Sequence, residues 1–143
     1  MKFSIFFQKD RPEEVIVYAE EESEITRAIR RLCEEEPLCL MGYVKEKAVP
    51  LEASDICCFI VEEGRVFALT AKEKLAVKYR IYQLEEALGD AFVKINQSCL
   101  ANVSQIDCFE VSLGGSLRVC FQNGYTEYVS RRNLKKVKER LGL

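Results

Sequence analysis

Histidine is absent from the 143 residues, and so is tryptophan. Without an imidazole the chain has no side chain whose ordinary pKa lies near neutrality, and no base spaced to activate a serine or cysteine. Zinc motifs built from histidine or from CxxC pairs are missing as well. The expectation is therefore no enzyme, no catalytic residue, no metal site and no cofactor. Long hydrophobic runs are also lacking, because no apolar stretch approaches the roughly 20 residues that span a bilayer. The N-terminal Met1–Phe7 is apolar but breaks at Gln8-Lys9-Asp10. It lacks a full hydrophobic region and a small-residue cleavage site, so it reads as a strand rather than a signal peptide, with no membrane insertion.

Cysteine is plentiful by contrast. The seven cysteines (Cys33, Cys39, Cys57, Cys58, Cys99, Cys108 and Cys120) are odd in number and sit mostly within apolar runs. Free cysteine packs there as a small hydrophobe, which implies a reduced, cytoplasmic protein. Cys57 and Cys58 are adjacent on an expected strand and should point to opposite faces, a poor arrangement for a disulfide.

The length suits one domain with an appendage, and 48% hydrophobic residues supply a core. Net charge is −2, but it is unevenly spread. Residues 1–46 carry 7 basic and 11 acidic groups, whereas residues 47–143 carry 14 and 12. Ser130 to Arg140 holds Arg131, Arg132, Lys135, Lys136, Lys138 and Arg140 against Glu139 alone. The acidic total hides a concentrated basic end.

Phe3–Phe7 and Val15–Ala19 read as short strands separated by a loop at Pro12. Ser23 is a helix N-cap, and Ile25, Ala28, Ile29, Leu32 and Cys33 form one apolar helical face. Glu34-Glu35-Glu36-Pro37 ends that helix, with acidic groups at the unfavourable end of its dipole. From Leu38 the period changes to two. Strands are expected over 38–44, 49–51, 56–61, 66–70 and 75–79, with Glu62-Glu63-Gly64-Arg65 as a hairpin turn. Ile81, Leu84 and Leu88 mark a short helix closed by Gly89. Later strands span 106–113, 117–121 and 125–129. Asn123-Gly124 predicts a type I′ turn, with positive φ at both residues. Ser130 caps a final helix whose apolar side is Leu134, Val137 and Leu141.

Two stretches carry the functional argument. In Phe92–Asn102 a strand breaks at Asn96-Gln97-Ser98 and resumes at Leu100. Amides held between buried anchors can offer a donor and an acceptor together to an adenine edge, although a plain polar turn fits these residues too. At Ser130-Arg131-Arg132-Asn133-Leu134-Lys135-Lys136 a strand passes into a basic helix. A guanidinium there can bind guanine O6 and N7 bidentately, and lysines beyond it neutralise phosphates. A solvated basic face is the plainer alternative.

Taken together, Phe92-Val93-Lys94-Ile95, Ser98-Cys99-Leu100-Ala101-Asn102, Ile106, the Asn123-Gly124 hairpin and Val129-Ser130-Arg131-Arg132 followed by Leu134-Lys135 resemble the LytTR DNA-binding domain. Asp55–Ile60 and Tyr82–Leu88 fit the earlier part of that pattern. The chain departs from it at Asn96 and Gln97, where members often carry a histidine or a basic residue, and at Ala101 and Asn133. The resemblance implies a bacterial transcription regulator of mainly β fold (α+β overall): an antiparallel β module with short helices, over residues 38–143. A small strand–strand–helix segment, residues 1–37, precedes it, too short for a receiver domain.

It also implies double-stranded DNA as partner, with three loops rather than a recognition helix entering successive major grooves. The first loop carries Arg65. The second carries Asn96, Gln97 and Ser98, with Lys94 beside it. The third carries Ser130, Arg131, Arg132 and Asn133, with Lys135, Lys136 and Lys138 on phosphates. The Ile5-Phe6-Phe7 run and the Ile25–Leu32 face suggest a homodimer. The alternative function is an interaction module whose basic helix meets an acidic partner without reading DNA.

Overall fold

The computed structural model describes residues 2–34 and 39–143. The chain divides into two compact units, Met1–Pro37 and Leu38–Leu143.

In the first unit, helix α1 spans Glu24–Glu34. Ser23 caps it: its Oγ accepts from the Thr26 backbone N–H (3.3 Å), and its own N–H donates to Thr26 Oγ1 (2.8 Å). That reciprocal pair satisfies donors the helix start leaves open. The two strands expected at 3–7 and 15–19 do not form; residues 2–22 hold no strand. A β-branched run becomes a strand only where a partner supplies ladder hydrogen bonds and a face to pack on. These segments have neither, and the first unit leaves Phe6, Phe7 and Tyr18 uncovered. The expected fraying at Glu35-Glu36-Pro37, and the strand start at Leu38, lie outside the described residues.

The second unit is two antiparallel sheets and two helices. Strands β1 (Leu40–Val44), β2 (Lys47–Leu51), β3 (Ile56–Glu62), β4 (Arg65–Thr70), β5 (Lys74–Val77), β6 (Phe92–Asn96) and β7 (Cys99–Asn102) form one sheet in the order β2-β1-β5-β4-β3-β7-β6. Strands β8 (Ile106–Val111), β9 (Leu117–Phe121) and β10 (Thr126–Tyr128) form the other, in the order β10-β9-β8. Helix α2 (Ile81–Leu88) ends at Gly89 (φ 59°), as the glycine there requires. Helix α3 (Arg131–Leu141) ends the chain.

The centre of the large sheet is buried on both faces, which is why β3 reads as an unbroken apolar run, whereas the edge strand β2 has no buried residue. On one side Phe59, Val66, Ala68 and Leu100 pack with Ile81 and Leu84 of α2. On the other, Ile60, Ile95, Cys99 and Ala101 meet Leu117, Val119 and Phe121 of the small sheet and Val137 of α3. At Gly42 the backbone of β1 passes so close to its neighbours that a Cβ would lie 2.8 Å from Leu51 Cδ1 and 2.9 Å from Leu75 Cβ. Gly42→Ala should therefore cost about 1–3 kcal/mol through overpacking, seen as a lower urea midpoint with an unchanged slope.

Two local expectations are corrected. Cys57 and Cys58 do not face opposite ways; both join the same buried cluster. The register jumps from Ile56↔Thr70 to Cys58↔Leu69, so β3 carries one extra residue there, a bulge that breaks the alternation. The type I′ turn is not at Asn123-Gly124, where only Gly124 has positive φ (88°). Instead Gly124 N–H bonds the Phe121 carbonyl and Phe121 N–H bonds the Tyr125 carbonyl (both 2.9 Å), a three-residue loop ending in a glycine bulge. The Asn123 side chain fixes this form by accepting from Tyr125 N–H (3.0 Å) and donating to the Thr70 carbonyl (3.2 Å). The two-residue turn with positive φ at both positions is Glu63-Gly64 (50° and 75°), closed by the Glu62↔Arg65 pair as the hairpin turn over 62–65 requires, with Arg65 also the first residue of β4.

Candidate nucleic-acid interface

Register places the three loops at one end of the second unit. Strand β3 pairs with β7 through Ile60↔Cys99, and the Val61 N–H donates to the Ser98 carbonyl (2.9 Å). The tip of the β3–β4 hairpin therefore rises beside the Asn96-Gln97-Ser98 turn. On the other flank of that turn, the Ser130 N–H donates to the Ile95 carbonyl (2.9 Å), and the Asn96 Nδ2 donates to the Tyr128 carbonyl (2.9 Å). These bonds bind the β10–α3 junction to the β6–β7 turn. Arg65, Gln97 and Ser98, and Arg131 and Arg132 are exposed along this end.

Within the middle loop the two amides have different duties. Asn96 Oδ1 accepts from the Ser98 N–H (2.7 Å) while its Nδ2 reaches Tyr128, so both ends of the side chain are occupied inside the protein. Gln97 is exposed, and its side chain makes no hydrogen bond among the described residues. Asn96→Ala should thus weaken every DNA sequence alike by loosening the junction, whereas Gln97→Ala should reduce the difference between a preferred and a scrambled site. Paired binding curves for the two variants distinguish these outcomes.

The junction itself suits an anion. Ser130 Oγ caps α3 by accepting from the Asn133 N–H (3.3 Å). Arg131 and Arg132 follow as the first helical residues, and the first turn holds no acidic group. Cations there are opposed by the helix dipole. What suits that place electrostatically is a negative ligand, which the open N–H groups also attract. Asn133 is half-buried, its backbone N–H committed to the cap.

Helix α3 lies along β6, starting at Ile95 and ending where Arg140 ion-pairs with Asp90 (3.9 Å) and donates to its carbonyl. Lys135 and Lys136 are exposed and Lys138 half-exposed along this helix, progressively farther from the loop tips. Lys94 is half-buried on β6, opposite Leu100 and on the face toward α2, away from the basic surface of α3.

Two cations belong to this end that the linear reading missed. Val66 pairs with Val77, so Lys78 comes level with Arg65. The Lys78 ammonium sits 4.7 Å from the Tyr43 ring centroid, and Lys74 and Arg65 both lie over Phe67 (4.6 and 5.7 Å). Lys74 also pairs with Glu62. The signal was present: Lys74 and Lys78 are four apart on a strand and share a face.

A model of the LytTr DNA-binding domain matches residues 46–142. The chain belongs to that family. Among curated relatives of this LytTr chain are uncharacterized HTH-type transcriptional regulators of Staphylococcus aureus, from strains NCTC 8325 / PS 47 and MRSA252. Each is 33% identical over 104 residues, covering 73% of this chain and 71% of the relative. A solved LytTr DNA-binding domain from Bacillus cereus superposes with a TM-score of 0.70 at 17% identity, over 74% of this chain and 99% of that one. The fold is thus the LytTr fold, mostly antiparallel sheet with short helices. Among the described residues no helix is joined to another by a short turn, since five strands separate α1 from α2 and five more separate α2 from α3. The helix-turn-helix label of the Staphylococcus relatives does not describe this architecture. No described helix is long and apolar enough to cross a membrane.

Proposed function

We propose that this LytTr chain is a cytoplasmic, sequence-specific DNA-binding transcriptional regulator, not an enzyme. It sets the β3–β4, β6–β7 and β10–α3 loops into the major groove of promoter DNA. The observation that carries this reading is the fastening of the three loops to one another by backbone hydrogen bonds from Val61 and Ser130, with Asn96 as clasp. Loops held that way keep their spacing against a duplex without an ordering cost on binding. Gln97 and Arg131 or Arg132 read base edges. Arg65 reads a base or a nearby phosphate. Ser98, Ser130 and Asn133 position the loops, and Lys135, Lys136 and Lys138 contact phosphates, with Lys78 added to them; Lys94, turned toward α2, drops out of that set.

The first unit acts in self-association on this reading, giving a homodimer. It leaves Phe3, Phe7 and Leu32 at 82%, 94% and 85% exposure, more than a short segment normally leaves bare. Light scattering of the whole chain and of a version lacking residues 1–37 tests this; a monomer in both cases excludes it.

DNA binding is tested by fluorescence anisotropy on DNA from the chain's own upstream region and on scrambled DNA across a salt series. Base readout predicts tighter binding to the first, with the scrambled DNA showing the steeper salt dependence. Equal and steeply salt-dependent binding reduces the surface to a basic patch. Absence of binding at moderate salt favours an acidic protein partner for α3.

A further inference from the structure

The outer face of the small sheet carries a side-chain cluster that DNA reading does not use. Cys108 and Cys120 are cross-strand partners in the β8–β9 ladder, and Glu110 stands two residues beyond Cys108 on the same face. The two sulfur atoms and a carboxylate oxygen all lie within 4.8 Å of one another. Cys108 and Glu110 are exposed and Cys120 half-exposed, so an ion can approach from solvent. We propose that Cys108, Glu110 and Cys120 form a binding site for a thiophilic divalent cation of the zinc class, with water as fourth ligand.

The ligand set fits that ion. Two thiolates and one carboxylate are three of the donors zinc prefers, and a tetrahedral site with Zn–S near 2.3 Å puts its sulfurs roughly 3.8 Å apart. Small side-chain rotations reach that from the present spacing. In the metal-free chain Arg118, cross-strand from Glu110, supplies the counter-charge by an ion pair with it. A bound cation replaces the guanidinium at the carboxylate. Binding releases one proton from each thiol to solvent and none from the carboxylate, so affinity falls as pH falls. Linear motif reading has no means of finding the site, because eleven residues separate its two cysteines and only the register joins them.

The test is titration of the full-length, reduced, chelator-treated chain with Cd2+. The readouts are the ultraviolet sulfur-to-cadmium charge-transfer absorption and competition by Zn2+. One equivalent should saturate the band, and Zn2+ should remove it. C108S and C120S should each weaken binding by more than the roughly 10–100-fold typical of losing an outer partner. E110Q should weaken it less, R118A should tighten it, and C33S/C39S should leave it unchanged. All these positions are exposed or half-exposed, and circular dichroism of each variant verifies folding. A one-equivalent band that survives in the C108S/C120S double variant, or its absence from the parent chain at neutral pH, overturns the proposal.

Discussion

Replacing Arg131 and Arg132 with alanine should cut affinity for the preferred DNA site sharply while leaving the fold intact or slightly firmer. Each arginine that reads a base is worth about 1–3 kcal/mol, a loss of roughly 5- to 150-fold, and specificity relaxes at the position it read. Both side chains are exposed, so their removal opens no cavity. Both also sit in the first turn of α3, with no acidic group beside them there. The helix dipole disfavours cations at that end, so alanine removes a small unfavourable interaction. A structural arginine would lose stability and affinity together; a reading arginine loses affinity alone. Thermal melts and anisotropy on the same preparations decide between these. Arginine variants that bind preferred and scrambled DNA as the parent does would remove the junction from the reading surface.

The largest stability effect is expected at Asn102, the one polar residue among the buried side chains of the described residues, at 3% exposure. Its Nδ2 donates to the carbonyls of Ile56 (2.8 Å) and Ala53 (3.3 Å), and its Oδ1 accepts from the Ser104 N–H (3.1 Å) and hydroxyl (2.9 Å). One amide thereby ties the end of β7 to the start of β3 and caps the turn that leads to β8. Asn102→Ala leaves the buried Ile56 carbonyl without this donor and releases the part-buried Ala53 and Ser104 groups, and a buried group left unpaired costs about 1–3 kcal/mol. The expected total is about 2–4 kcal/mol, which lowers Tm by roughly 10–20 °C in a unit of this size. Asn102→Asp keeps the acceptor for Ser104 but turns an oxygen toward the Ile56 carbonyl. It should be no better than alanine at neutral pH and should recover as pH falls and the buried carboxylate takes up a proton. Urea denaturation of the two variants at two pH values measures both effects.

Much of the second unit was legible because short period-two runs alternate with glycine, asparagine and acidic turn residues. That pattern admits few arrangements besides hairpins. The helix at Ser130 was legible for the same local reason, a capping serine ahead of apolar residues at helical spacing. What escaped were features fixed by contacts between distant residues. The bulge at Cys57 exists because of how β3 meets β4, and nothing in Ile56-Cys57-Cys58 announces it. The loop at Asn123 takes its form partly from a hydrogen bond to Thr70. Phe3–Phe7 and Val15–Ala19 have strand composition but no neighbour to pair with, and composition alone does not make a strand. For the candidate interface, residue type pointed to Gln97, Arg131 and Arg132. Only the register explained why Asn96 serves as a clasp and why Lys78 belongs with Arg65.

The order of the large sheet bears on how the molecule behaves at high concentration. Its two outer strands are β2 and β6. Unpaired strand edges invite other chains to add on and begin aggregation. Here β6 is flanked by α3, with Ser130 occupying the Ile95 carbonyl. The rim of β2 carries Pro50, which has no N–H to offer, and opens with Lys47. Both borders are thus closed to templated strand addition, but not by the same means: the guard on β2 lies at the opposite edge of the sheet from the β10–α3 junction, whereas the guard on β6 is that junction itself, so a change at Ser130 touches colloidal stability and DNA recognition together.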